Sequence, residues 1–236
     1  MLQALTPSVA SDLDLSKIVL AIGGLGTAAY GLVDITKSMG GGISNRGFGD
    51  IKKIISQLIP ASSGEGDAAS ARALPSVLAT LRANWLNGMA MADQKSVAKA
   101  LIKLNLNANS AAVMAAATGV NATLLGQISA KLVTQQSLEP AETDVYGRFD
   151  LSVSALLDQG YQRADQRYRN SAKIAAVFVS VLLALVGTWT IYGNEAHGHY
   201  GVAFIAGLLA TPLAPVAKDL SSAIQAGAKA AQSWKR

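Results

Sequence analysis

Glu195, His197 and His199 lie close together in GNEAHGHY, residues 193–200, which holds both histidines of the chain. Two imidazoles and a carboxylate are metal ligands by type. A zinc site needs four donors, or three held rigidly around an open position. Three donors spread over a glycine-containing loop supply neither, so these side chains are expected at a wet interface with no metal. A second candidate is GGGISNRGFGD, residues 40–50. Consecutive glycines suggest a phosphate cradle, but that motif ends in Gly-Lys-Ser/Thr and follows a strand. Neither feature is present, and the segment is expected to be a flexible hinge. Cysteine is absent, which removes thiolate metal sites and cysteine nucleophiles. No His–acid pair shares a scaffold and no nucleotide fingerprint occurs. These observations point away from an enzyme: no catalytic residues, no metal site and no cofactor are expected.

The chemistry that does recur is close helix packing. In three apolar runs, small side chains fall at every fourth position. Ile18–Val33 (IVLAIGGLGTAAYGLV) carries Gly23, Thr27 and Gly31. Ile174–Tyr192 (IAAVFVSVLLALVGTWTIY), which holds no charged residue, carries Ala176, Ser180, Ala184 and Thr188. Gly201–Ala217 (GVAFIAGLLATPLAPVA) carries Ala203, Gly207 and Thr211. Lipid tails solvate Leu as well as Ala, so lipid alone does not select such rows. The close approach of another backbone does. At ~1.5 Å per residue, the longest of these runs crosses a hydrocarbon core of ~30 Å. The runs are therefore read as transmembrane helices, and the small residues as their packing faces. A transport site needs ionisable groups at mid-membrane depth. These runs offer only Thr27, Tyr30, Ser180, Thr188 and Thr190.

The elements that position these rows follow from composition and caps. Half of the 236 residues are apolar and only 15% are charged, against about a quarter charged in a soluble domain. The net charge of +5 is too small to argue for nucleic acid. Residues 1–37 are an N-terminal segment with acids and no base before Lys17, followed by the first span. Residues 38–70 comprise the hinge, an amphipathic helix over 50–59 and a polar linker. That helix places Ile51, Ile54, Ile55 and Leu58 opposite Lys52 and Lys53, a pattern suited to a membrane surface or to a protein neighbour. Residues 71–138 read as a small cytoplasmic bundle of short helices. Its expected start signals are Pro75, Asp93, Asn109 and Asn121, with Gly119 as a stop and Lys95, Lys99 and Lys103 on the wet side. Within it, AAATGVNATLLGQI (115–128) has the outline of a helix-turn-helix. Its second helix offers only Gln127 and Lys131 to reach bases, so no nucleic-acid partner is expected. Pro140 with Glu139, Glu142 and Asp144 marks a second linker.

Residues 148–217 comprise a stalk helix, continuous with the second span from Phe149 to Tyr192 at ~65 Å, and a transmembrane hairpin. Pro212 and Pro215 are expected to kink or end the third span. Residues 218–236 then form an amphipathic helix with Trp234, Lys235 and Arg236 at headgroup level. The fold class expected is all-α, an integral membrane protein with three transmembrane helices. The hairpin loop has no Lys or Arg, whereas Arg163, Arg167, Arg169, Lys173 and Lys218 flank the far ends. The positive-inside rule places the loop and N-terminus outside and the C-terminus in the cytoplasm.

The runs RFDLSVSALLDQGYQRADQRYRNSAKIAAVFVSVLLALVGTWTIY (148–192) and LLATPLAPVAKDLSSAIQAGAKAAQ (208–232) resemble a group of uncharacterised bacterial inner-membrane proteins. Those have an N-terminal span, a cytoplasmic helical insert and a C-terminal hairpin. The resemblance implies a bacterial inner-membrane location and supplies no activity or site residues. The expected function is a structural, scaffolding or accessory subunit of a membrane assembly. Its expected partners are membrane lipids, other membrane subunits or further copies of itself. The alternative is an oligomeric pore or transporter element lined by Ser180 and Thr188.

Overall fold

The computed structural model describes residues 15–60 and 68–233. Every regular element among them is helical. The order is α1 (Leu15–Ile35), α2 (Ser44–Leu58), α3 (Ala68–Leu86), α4 (Met91–Leu104), α5 (Ala108–Thr118), α6 (Ala122–Val133), α7 (Pro140–Tyr192), a 3-10 helix (Gly193–Gly198) and α8 (Tyr200–Ser233). Two units result. Met1–Gly40 with Asn170–Arg236 make one, and Gly41–Arg169 makes the other. The expectations for residues 1–14, for the linker core 61–67 and for Trp234, Lys235 and Arg236 fall outside the described residues. So do the side chains of the last nine residues of α8.

In the 41–169 unit the glycine-rich segment is not a hinge throughout. Gly40, Gly41 and Gly42 all have positive φ (84°, 99° and 44°), a turn that residues with a Cβ rarely adopt. Helix α2 then begins at Ser44 instead of at 50. Gly47 lies within it because a Cβ there would meet the Ala164 carbonyl oxygen at 2.6 Å and the Trp85 ring at 2.9 Å. Tertiary packing outweighs the poor helix propensity of glycine. The contacts of Gly47 with Ala164 and Tyr168, and of Gly160 with Ile54, set α2 antiparallel to α7. Ile59 is extended (φ −110°, ψ 111°), as the residue before a proline should be. The apolar face of α2 is buried in protein: Ile51, Ile55 and Leu58 join Leu81, Ile102, Met114, Phe149, Leu157 and Tyr161 in one core.

The caps in this unit differ in detail from their sequence signals. Helix α3 starts at Ala68, so Pro75 lies inside it. Helix α4 starts at Met91, leaving Asp93 in its first turn as a charge facing the helix dipole. Asn107, not Asn109, caps α5. Its side chain accepts from the Asn109 and Ser110 amides, and the Ser110 hydroxyl accepts from the Asn107 amide. Gly119 ends α5 at φ 74°, and Asn121 caps α6. The linker expected at Pro140 is instead the start of α7. Pro140 takes the first helical position, where its missing N–H is no loss. Glu142 accepts from the Glu139 amide at 2.8 Å and pairs with Lys131.

In the other unit α8 continues through Pro212 and Pro215, so there is no break between a third span and a separate amphipathic helix. The amides missing there free the Leu208 and Thr211 carbonyls. Contacts with neighbouring helices on either side of this region support the helix through both positions. Among the described residues, three helices are long and apolar enough to cross a membrane. They are Ser16–Ile35, the apolar part of Pro140–Gly198, and Tyr200–Ile224.

Candidate helix-packing site

The site lies where α1, the 170–192 part of α7 and α8 meet. Helix α8 contributes Ala203, Gly207, Ala210, Ala214 and Ala217, all small and all buried. Their spacing alternates four and three residues, which keeps a helix face aligned over several turns. On one flank, a Cβ at Gly26 of α1 would fall on the Ala210 carbonyl, and one at Gly23 would fall on the Ala217 methyl group. Gly23 faces Ala217 while Gly26 faces Ala210, so α1 and α8 are antiparallel. On the other flank, a Cβ at Gly207 would lie 2.6 Å from Val181 Cα and 3.0 Å from Val181 N. There α7 and α8 are in backbone contact. The fully buried Ser180 hydroxyl crosses this junction and donates to the Gly207 carbonyl at 2.7 Å.

The sequence-derived packing residues divide by position. Gly23, Ala176, Ser180, Ala203, Gly207 and Thr211 are buried, and Ala184 and Thr188 are half-buried. Thr27 and Gly31 are exposed on α1. The Thr27 hydroxyl donates to the Gly23 carbonyl of its own helix, and the Thr188 hydroxyl to that of Ala184. Thr211 Oγ1 is buried without a hydrogen-bond partner. A step of four residues turns a helix by 400°, so a row of fourth residues drifts 40° per step. Over Gly23, Thr27 and Gly31 the row leaves the α8-facing side. The face that stays on α8 is Gly23, Gly26, Ala29 and Val33. Gly26, Ala210, Ala214 and Ala217 escaped the fourth-residue reading, although their three-and-four alternation is legible in the sequence.

Around this small-residue interior the outside is bulky and apolar. Ile174 (72% exposed), Phe178, Leu182, Val186 and Trp189 on α7 point outward, as do Val202, Phe204, Ile205 and Leu209 on α8. At the connection, His199 stacks on Tyr192 with ring centroids 4.0 Å apart, and His197 meets Tyr200 edge-on at 5.8 Å. Each imidazole faces a phenol ring. No group of three or more His, Asp or Glu among the described residues is gathered closely enough to hold a metal ion. Comparison with known proteins finds no matching family model, no matching curated protein and no matching solved structure.

The charges of the 41–169 unit are organised as structural pairs. Lys95, Lys99 and Lys103, expected on the wet side, are half-buried and reach across to α7. Lys95 is 2.6 Å from Asp158, and Lys99 and Lys103 are 2.6 and 3.1 Å from Asp150. Burial pushes the Asp150 carboxyl up, but hydrogen bonds from both lysines outweigh it and hold the group below its ordinary range. Burial pulls Lys103 down, yet Asp150 and Tyr146 hold it above its ordinary value. Lys131, through its hydrogen bond, lowers Glu142 and is itself raised by it. Burial pushes the Tyr161 phenol up to about 12. An open cleft of about 590 Å³ runs between the α5–α6 turn and α7, bordered by Gly119, Asn121, Ser152 and Arg148. Arg148 pairs there with Asp144 at 3.0 Å.

Proposed function

We propose that this chain is a non-catalytic structural or accessory subunit of a bacterial inner-membrane assembly. It crosses the bilayer three times, with the N-terminus outside and the C-terminus in the cytoplasm, and acts through helix packing. The observation that carries the reading is the inverted arrangement of the 170–192 hairpin helix, α8 and α1. Gly and Ala lie inside, while Ile, Phe, Leu and Trp lie outside. A water-soluble core does the reverse. In lipid, close backbone contact and an interhelical hydrogen bond such as Ser180–Gly207 hold helices together. The subunit role is supported by the second face of α1. Gly24, Thr27, Ala28 and Gly31 are small and exposed there, and a Cβ at Gly24 or Gly31 would meet nothing within 4 Å. The partners proposed are membrane lipids and another membrane subunit or a second copy, with no nucleic acid. The pairing of the bundle's carboxylates with lysines and arginines supports a structural rather than catalytic use of its charges.

The alternative pore needs the Ser180 hydroxyl to face an aqueous path, whereas it bonds to Gly207 inside the chain. The test is native mass spectrometry of the particle extracted in mild detergent. A complex with other chains, or a closed oligomer that conducts no ions in liposomes, is expected. A lone monomer would contradict the subunit reading, and ion flux through a closed oligomer would favour the pore.

A further inference from the structure

We propose that the basic face shared by α2 and the adjoining part of α7 is a docking surface for anionic phospholipid headgroups. This rests on the membrane reading above. Lys95, Lys99, Lys103 and Lys131, with Arg148, Arg167 and Arg169, all pair with carboxylates. Among the described residues, Arg46, Lys53 and Arg163 are exposed and form no ion pair. The one acid of α2, Asp50, is engaged by Arg167 at 3.0 Å and is only 13% exposed. Arg46 stands one turn before Asp50 on α2 and Lys53 one turn after it, while Arg163 is one turn from Arg167 on α7. The three cations therefore flank a single neutralised pair.

The position suits a lipid surface. In the sequence Arg167 is seven residues and Arg163 eleven residues before Ile174, where the apolar run starts. Arg46 follows Ile35, the last residue of α1, by eleven residues. The potential of an anionic leaflet extends over a Debye length of ~8 Å beyond headgroups that add some ~5–8 Å on each side of the core. Cations close in sequence to a membrane span are attracted with a preference of about 5-fold per residue. The positive-inside orientation puts these residues on the cytoplasmic side, where anionic lipids attract such clusters.

The experiment uses the full chain in detergent micelles. Retention of phosphatidylglycerol and of phosphatidylcholine is measured by native mass spectrometry at low and high salt. The wild type is compared with the triple variant Arg46→Gln, Lys53→Gln, Arg163→Gln and with the double variant Arg46→Lys, Arg163→Lys. The expected result is a salt-sensitive preference for phosphatidylglycerol, lost by roughly 100-fold in the triple variant and kept in the lysine variant. Circular dichroism checks that both variants remain folded. Equal preference in wild type and triple variant would overturn the proposal. So would preferential binding of a short RNA or an acidic peptide to the same residues. Liposome insertion is scored separately. A chain that inserts without headgroup preference overturns this inference alone, and a chain that fails to insert overturns the membrane reading as well.

Discussion

Replacing Gly207 by Ala tests the α7–α8 junction directly. The new Cβ would sit 2.6 Å from Val181 Cα, where carbon atoms settle at about 3.5 Å or more. The helices must separate by about 1 Å, because the nearest obstructing atom, Val181 Cα, is backbone and has no rotamer to change. That shift stretches the Ser180–Gly207 hydrogen bond from 2.7 Å toward the limit of a real bond. Overpacking of this kind costs about 1–3 kcal/mol, and the interhelical bond adds about 0.6 kcal/mol. The better helix propensity of Ala returns up to about 1 kcal/mol. The net expectation is a loss of about 1–3 kcal/mol for Gly207→Ala. Gly24→Ala has nothing within 4 Å and should be neutral or slightly stabilising within one chain. The assay is reversible unfolding in mixed micelles of increasing SDS content, followed by helix-specific fluorescence labels. Equal stability of the two variants would refute the backbone contact at Gly207.

Ser180→Ala removes only the hydrogen bond, so a loss of about 0.6 kcal/mol and at most about 1.7 is expected in the same assay. Asn107→Ala should destabilise the bundle by about 1 kcal/mol in urea titration, whereas Asn109→Ala should change little. Asp150 and Glu142 are held below their ordinary values, so the stability they add is present above about pH 4 and lost as pH falls through the lowered values. Lys103 and Lys131 are raised, and their contribution is lost only as pH rises above about 10.4. The bundle's melting temperature should therefore fall on both sides of a neutral plateau, and Asp150→Asn should lower the plateau and flatten the acid limb. Phe149, fully buried in the bundle core, should cost about 3–5 kcal/mol when replaced by Ala.

The all-helical class and the three apolar helices were legible because long uncharged runs leave a strong signal. Gly119 and Asn121 were legible as local punctuation, since their roles depend on residues within one turn. What was not legible depended on neighbours distant in sequence. Gly47 reads as a hinge until Ala164 and Trp85 are seen against it. Pro212 and Pro215 read as breakers because the support for α8 comes from other helices. Lys99 and Lys103 read as solvated until Asp150, about fifty residues on, is placed between them. In the packing site, the rows on α7 and α8 located the Ser180–Gly207 junction, but the row on α1 drifted from Gly23 to an exposed face and passed over Gly26. Fixed four-residue spacing follows a helix for two turns and then rotates away from its partner.

The measurement that bears most directly on the proposed function is nitroxide accessibility along α7 in reconstituted liposomes. Labels are placed singly at Phe178 and Leu182, at the buried Ser180, and at the exposed bundle residue Lys52. A chain that crosses the bilayer as proposed gives high oxygen and low nickel-chelate accessibility at Phe178 and Leu182. It gives low accessibility to both at Ser180, and high nickel-chelate accessibility at Lys52. Nickel-chelate accessibility at Phe178 and Leu182 equal to that at Lys52 would contradict it, because those side chains would then face water instead of lipid.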